Sequence, residues 1–236
     1  MLSIKNWDNK TWISSTKYIR SFNNFLLKQK KLNKKSKILD IGCGRGKIIG
    51  SLSSKLRLKN KPIGLDIKNH KDKDKRIIFK KISAIKYLEN NKKKFDLILI
   101  KQTIHLFNLR DIKKILTYSQ SSLEKDGIIL ILTLVTKKNE IPTFSLMKQK
   151  LNQSFKRDII IWNKILRLNI KKSISKFNFK VKVKKNLYLD MIKQRYISTL
   201  LKLSPAQILN GIQEINLKYK KNIIFNDKLN CIILKN

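Results

Sequence analysis

Lys37-Ile-Leu-Asp-Ile-Gly-Cys-Gly-Arg-Gly-Lys47 is the stretch on which the reading of this chain turns. A short apolar run of strand character meets three glycines, Gly42, Gly44 and Gly46, and a helical pattern follows. Glycines there permit a tight turn with positive φ and the close approach of a ligand to the backbone, and the helix behind presents N–H groups. The spacing is GxGxG. A dinucleotide fingerprint needs GxGxxG, and Lys47 stands where its third glycine would be. Asp40, two residues before Gly42, suits a ligand with a cationic amine better than a pyrophosphate. Twenty residues beyond Gly46, Asp66 ends a second short apolar run in Ile-Gly-Leu-Asp-Ile. An acidic side chain at the tip of the second strand can accept from both ribose hydroxyls.

Outward from this turn, β-branched runs alternate with helical patterns. Strands are expected at Lys37–Ile41, Pro62–Asp66, Arg76–Lys80, Phe95–Ile100, Gly127–Val135, Lys180–Lys184 and Leu229–Leu234. Helices are expected over 14–29, 46–57, 83–90, 110–124, 144–155, 157–175, 190–202 and 204–220. Ser204-Pro205 reads as an N-cap followed by a first-turn proline. Several strands are apolar on both faces, as strands covered on both sides by helices should be. The alternation predicts an α/β fold with a doubly wound, Rossmann-like parallel sheet. The helical stretches at 140–176 and 190–221 exceed what crossovers need and are candidates for a lid or substrate-binding region. Lys-rich segments at 28–37, 68–76 and 90–94 read as solvated linkers or loops, so His70 reads as surface.

The 236 residues fit one domain, and 42% hydrophobic content supplies a sizeable core. No apolar run approaches a membrane span, and the segment from Met1 to Lys17 lacks the apolar region of a secretory signal, so the expected compartment is the cytoplasm. Two cysteines, Cys43 and Cys231, are too few for a disulfide framework and too far apart for a zinc knuckle. Net charge is +40, carried by 47 Lys and 8 Arg and spread along the chain. A nucleic-acid site concentrates charge and favours Arg forks. Abundant Lys, Ile and Asn instead match compositional drift, with non-specific attraction of nucleic acid as a by-product.

The order of strand, DxGxGxG, helix, strand and terminal Asp resembles the class I methyltransferases that use S-adenosylmethionine. The resemblance covers about residues 36–136. LDIGCGRG is similar to the family's first motif and GLDI to its second. Ile82-Ser-Ala-Ile85 stands at the third, Phe95-Asp-Leu-Ile-Leu-Ile-Lys101 at the fourth strand, and Leu123-Glu-Lys-Asp-Gly-Ile-Ile-Leu-Ile131 at the fifth. The resemblance implies about seven strands with the last antiparallel. It divides the domain into an N-terminal helical cap (1–35), a cofactor-binding core (36–136), and helical insertions with the final strands (137–236). It implies that Asp40 and the loop of Gly42, Cys43, Gly44 and Gly46 hold the methionine part, and that Asp66 holds the ribose. Ile67 would pack on adenine, Ser83 and Ala84 would meet its amino edge, and Lys101 would line the cofactor site. Many members carry Asp where Ser83 stands.

The end of the fourth strand faces the transferring methyl and reads Lys101-Gln-Thr-Ile-His105-Leu-Phe. The Asn/Asp-Pro-Pro-aromatic segment of base-flipping enzymes is absent. Neither cysteine is placed to act as a pyrimidine nucleophile. His105 is the candidate general base, with helix capping or packing as the alternative role. Trp7, Trp12, Tyr18, Ile19 and Phe22 either close over the cofactor or pack a helix on the sheet. Arg195-Tyr196 opens the final helical insertion, where small-molecule members build their acceptor pocket. Arg195 there suits a carboxylate or phosphate, or forms a structural salt bridge. The expected function is methyl transfer to a small acceptor, an anionic one if Arg195 binds it. RNA or ribosomal-protein methylation, and a non-catalytic cofactor-binding protein, are the alternatives.

Overall fold

The computed structural model describes residues 11–235; Trp7 lies outside them. Seven strands are present: β1 (Ile38–Ile41), β2 (Ile63–Asp66), β3 (Ile78–Lys81), β4 (Phe95–Lys101), β5 (Leu123–Leu134), β6 (Lys172–Lys184) and β7 (Asn222–Lys235). The helices are α1 (Thr16–Gln29), α2 (Lys47–Leu56), α3 (Ala84–Glu89), α4 (Leu109–Ser121), α5 (Ser145–Leu166), α6 (Lys185–Lys193) and α7 (Pro205–Lys218). The strands hydrogen-bond in the order β3-β2-β1-β4-β5-β7-β6. β1 pairs in parallel with β2 and β4, β2 with β3, and β4 with β5. β7 runs antiparallel to β5, from Ile128 opposite Lys235 to Leu134 opposite Leu229. The expected α/β sheet with an antiparallel last strand is therefore present.

Two compact units share the chain. The larger comprises residues 19–134, 161–177 and 229–235 and carries β1–β5. All of β1, and Leu97 to Ile100 of β4, are buried, which is why their sequences are apolar on both faces. Asp40 is a carboxylate set inside that apolar run. Gly46, with φ 72°, caps α2, and the Asn108 side chain accepts from the Asp111 N–H to start α4. Phe22 and Phe25 of α1 pack edge-on against Phe177, at 5.0 and 5.5 Å between ring centroids.

The smaller unit comprises residues 11–18, 135–160 and 178–228. Trp12 lies 5.1 Å from Phe225 and 5.3 Å from Tyr196, and its Nε1 donates to Asp227 Oδ2 at 2.8 Å. Tyr188 donates to the Pro142 carbonyl at 2.6 Å. Trp12 and Tyr18 are thus packed core residues of this unit. Ser204 and Gln207 form a reciprocal capping box at the start of α7, as Ser204-Pro205 predicts.

Three expectations need correction. The helices expected at 144–155 and 157–175 are one helix, α5, because neither Gly nor Pro interrupts residues 144–166. Residues 172–175 open β6, where alternating Lys176, Lys180, Lys182 and Lys184 face out while Phe177, Val181 and Val183 are buried. The helix expected at 190–202 ends at Lys193, and Arg195 turns the chain with φ 55°. Among the described residues no helix is long and apolar enough to cross a membrane.

Candidate functional site

The turn from β1 into α2 is held by two N–H groups, of Gly42 and Cys43, that donate to the Leu65 carbonyl at 2.8 and 3.0 Å. Gly42, Gly44 and Gly46 take φ values of 73°, 55° and 72°. Side chains rarely adopt that region, so each glycine is required by backbone conformation. The space beside two of them belongs to the protein itself. A Cβ on Gly42 would lie 2.3 Å from the Thr103 side chain, and one on Gly46 would lie 2.1 Å from Ile77. Close approach at these two positions is therefore by side chains of neighbouring strand ends, not by a ligand alone. Thr103 Oγ1 donates to the Lys101 carbonyl at 3.0 Å, and lies 3.4 Å from the Gly42 carbonyl, tying the end of β4 to the glycine turn.

Asp40 is 4% exposed. Burial pushes its carboxyl up to about 7, against the opposing charge of Lys101 and with the added repulsion of Asp66. No hydrogen bond from a described residue relieves that carboxyl. Lys101 ends β4; its Nζ reaches Gln102 Oε1 at 2.8 Å and sits 5.4 Å from the Phe22 ring centre. The next residue, Gln102, holds φ 51°, a strained value for a side chain of its kind.

Asp66 ends β2. Its Oδ2 accepts from the Gly44 N–H and its Oδ1 from the Lys68 N–H, both at 2.9 Å. Burial would raise this carboxyl, but the His70 imidazole beside it and the two N–H donors outweigh it and hold it below 3.8. His70 is buried at 8% exposure, with Nε2 3.7 Å from Asp66 Oδ2. This corrects the reading of His70 as solvated surface. The loop around it is indeed Lys- and Asp-rich and exposed, but an imidazole four residues beyond Asp66 can fold back onto the carboxylate.

Ile67 follows with 67% exposure, an apolar side chain offered to solvent at the sheet's carboxyl edge. Ser83 caps α3 by accepting from the Lys86 N–H at 3.3 Å, and Ala84 is buried behind it. The Ser83 hydroxyl is thus already engaged in capping. Cys43 is half-buried, and burial, Asp40 and Asp66 together push its thiol far up, so it carries no thiolate chemistry. His105 is half-buried in a short 3-10 turn, Ile104–Leu106, directly after β4, beside fully buried Ile104 and 67% exposed Leu106.

Asp40, the glycine turn, Asp66, Lys101 and His105 all belong to the larger unit. Arg195 and Tyr196 belong to the smaller one. Arg195 Nη1 donates to the carbonyls of Leu200 and Leu203, and Tyr196 is 3% exposed with its hydroxyl 2.7 Å from that of Tyr188. The sequence reading passed over Thr103, Gln102 and Arg45. Arg45 is 2% exposed, lies in the glycine turn, and has Nη2 3.9 Å from Asp72 Oδ2. Arg among so many lysines was the only signal available for it.

The family model described as a methyltransferase domain matches residues 32–194. No curated protein matches the chain. Among solved structures, the plantazolicin methyltransferase BpumL, bound to a pentazolic desmethylPZN analog and SAH, is 16% identical. The alignment covers 98% of this chain and 88% of that one, with a TM-score of 0.54. A candidate methyltransferase from an antibiotic biosynthesis pathway of Anabaena variabilis is 17% identical over 90% and 96% of the two chains, with a TM-score of 0.63. A SAM-dependent methyltransferase from Archaeoglobus fulgidus is 19% identical over 92% and 94%, with a TM-score of 0.54. At these identities the structural likeness speaks for the fold.

Proposed function

We propose that this chain, which belongs to the methyltransferase-domain family and is a class I S-adenosylmethionine-dependent methyltransferase, acts on a small acceptor at the carboxyl edge of its sheet. The observation that carries the residue assignment is Asp40: a buried carboxyl, pushed up to about 7, beside a turn of three positive-φ glycines. Such a group gains from a cationic partner. When bound, S-adenosylmethionine supplies an electrophilic methyl group on a sulfonium.

In this reading Asp40 receives the ammonium of the methionine part, and the turn of Gly42, Cys43, Gly44 and Gly46 shapes its seat. Asp66, with one acceptor site on each oxygen given to backbone N–H groups, keeps its remaining lone pairs for the ribose hydroxyls. Ile67 supplies the apolar surface for adenine. Since Ser83 Oγ is engaged as a helix cap, the Ala84 N–H becomes the better partner for the adenine edge. Lys101 balances the charge of Asp40. His105, in the turn after β4, takes the acceptor's proton as the methyl transfers. Proximity and orientation supply the rest of the acceleration.

A small acceptor is supported by the absence of a base-holding Asn/Asp-Pro-Pro segment, and by BpumL, whose structure holds desmethylPZN analogs. The single-domain organisation is part of the same proposal. Arg195 and Tyr196 stay in it as acceptor-side residues only if their removal raises the acceptor's KM. A second reading, methylation of RNA or ribosomal protein, draws on the exposed Lys180, Lys182 and Lys184 on one face of β6. Lysines also guard edge strands against unwanted pairing, which is the simpler account. The decisive experiment is methyl-labelled S-adenosylmethionine with fractionated cell extract. Label in a small metabolite supports the first reading, and label in RNA or protein supports the second. A His105→Ala enzyme with full turnover removes that residue from the mechanism.

A further inference from the structure

We propose that His70 is a positioning residue for the nucleoside end of the cofactor, setting through its charge how well the Asp66 carboxylate accepts from the ribose hydroxyls. The inference rests on the assignment of Asp66 to the ribose.

His70 sits at 8% exposure in a loop whose neighbours Lys68, Asn69 and Lys71 are exposed, so its burial is a local choice of the fold. Its Nε2 lies 3.7 Å from Asp66 Oδ2, and its ring meets Phe79 of β3 edge-on, at 6.4 Å between centroids. The Phe79 contact holds the imidazole over the carboxylate. Oδ2 is the oxygen that also accepts from the Gly44 N–H, so His70, Asp66 and the glycine turn form one chain of contacts. The charged groups on the surrounding elements are Asp66 at the end of β2, Lys73, whose Nζ lies 4.8 Å from the Phe79 ring centre, and the Arg45–Asp72 pair at 3.9 Å.

A carboxylate oxygen offers two lone-pair sites. On Oδ2 the backbone takes one. Neutral His70 leaves the other available to a ribose hydroxyl or makes a weak bond to it. The imidazolium makes a charge-assisted bond that competes for that site and withdraws electron density from both oxygens. Histidine is the side chain whose charge pH can change without denaturing conditions, so acidification is the means by which the competition is tested. The nucleoside should therefore bind less tightly to the acidified protein by about five- to tenfold, the difference between a charge-assisted and a neutral hydrogen bond.

Asp40 also titrates near neutrality, so the probe must not touch it. 5′-Methylthioadenosine carries adenine, ribose and the thioether but lacks the amino-acid end. Calorimetry of this probe from pH 5.5 to 8 should show the affinity of the native protein falling five- to tenfold on the acid side. His70→Gln, which can donate but does not titrate here, should bind two- to fivefold more weakly at pH 8 and show a flat profile. A flat profile in the native protein, or an unchanged slope in His70→Gln, overturns the proposal. If His70→Gln does not fold, the native protein still decides. The chain has two histidines, so each imidazole can be followed by NMR, with His105→Gln assigning them. By linkage, saturating methylthioadenosine must move the His70 titration to lower pH. No movement, or movement upward, is equally fatal. Failure of S-adenosylhomocysteine to bind at any pH, with or without His70, would instead sink the ribose assignment of Asp66.

Discussion

Replacing Asp40 by Asn tests whether the buried carboxyl is held for a ligand at the expense of stability. Asn keeps the shape and gives up the charge. The folded carboxyl ionises at about 7 and the unfolded one at 3.8. The sign follows from that order. Between the two values the unfolded chain has released a proton that the folded chain keeps, so native stability falls as pH rises from about 4 to about 7 and then levels. At about 1.4 kcal/mol per decade, the cost is roughly 4 kcal/mol at pH 8 and about 1.5–2 kcal/mol at pH 5. Asp40→Asn should therefore gain about 2–4 kcal/mol in urea unfolding at pH 8, and under about 2 kcal/mol at pH 5. The same variant should bind S-adenosylhomocysteine on the order of 100-fold more weakly, because the ligand's ammonium loses its charged partner. In the native protein, affinity for this ligand should decline below pH 7 as Asp40 takes up its proton, and the variant should lose that decline. A variant whose stability relative to the native protein is the same at both pH values, or one that binds the ligand like the native protein, refutes the reasoning.

Gly42→Ala should lose roughly 2–4 kcal/mol of stability, because the new Cβ would stand 2.3 Å from the Thr103 side chain on a backbone with φ 73°; pairing it with Thr103→Ala removes the two atoms at 2.3 Å but leaves the Cβ of residue 103 at 2.8 Å and the φ, so the double variant should recover part of the loss in denaturant titration. Ser204→Ala removes the side-chain half of the capping box, the bond its hydroxyl accepts from the Gln207 N–H, and should cost about 1 kcal/mol with no effect on cofactor affinity by calorimetry. Arg195→Ala frees the carbonyls of Leu200 and Leu203 and should lower stability by about 1–3 kcal/mol; a raised acceptor KM with unchanged stability would instead assign Arg195 to the acceptor. RNA binding should be sequence-indifferent and fall steeply with salt in filter assays, as counterion release requires.

The sheet was legible because strand and helix periods are local. Leu97–Ile100 and Ile128–Leu132 are apolar at every position, and Ile38–Ile41 at every position but Asp40, and only strands covered on both faces need that. The glycine turn, Asp40 and Asp66 were legible for the same reason: each is defined by its spacing from a strand end. Where the pattern carried no punctuation, the reading failed. Residues 144–175 contain no Gly or Pro, and their division into helix and strand was decided by what Phe177 and Val181 could bury.

The tertiary structure alone decided what stands beside each glycine. Thr103 is 61 residues from Gly42 in sequence, and no local pattern announces that their atoms compete for one space. It also decided the state of the polar side chains. His70 lies in a loop that composition marks as solvated, yet the fold closes Phe79 and Asp66 around it. Arg195 and Tyr196 have the chemistry of a binding pair, yet carbonyls and a second tyrosine already occupy their polar atoms. Sequence patterns report which backbone conformation a segment prefers and which face it buries. The electrostatic state of a side chain depends on neighbours brought in from elsewhere in the chain, because charge and hydrogen bonding are settled by distances of a few ångströms that only the packed molecule defines.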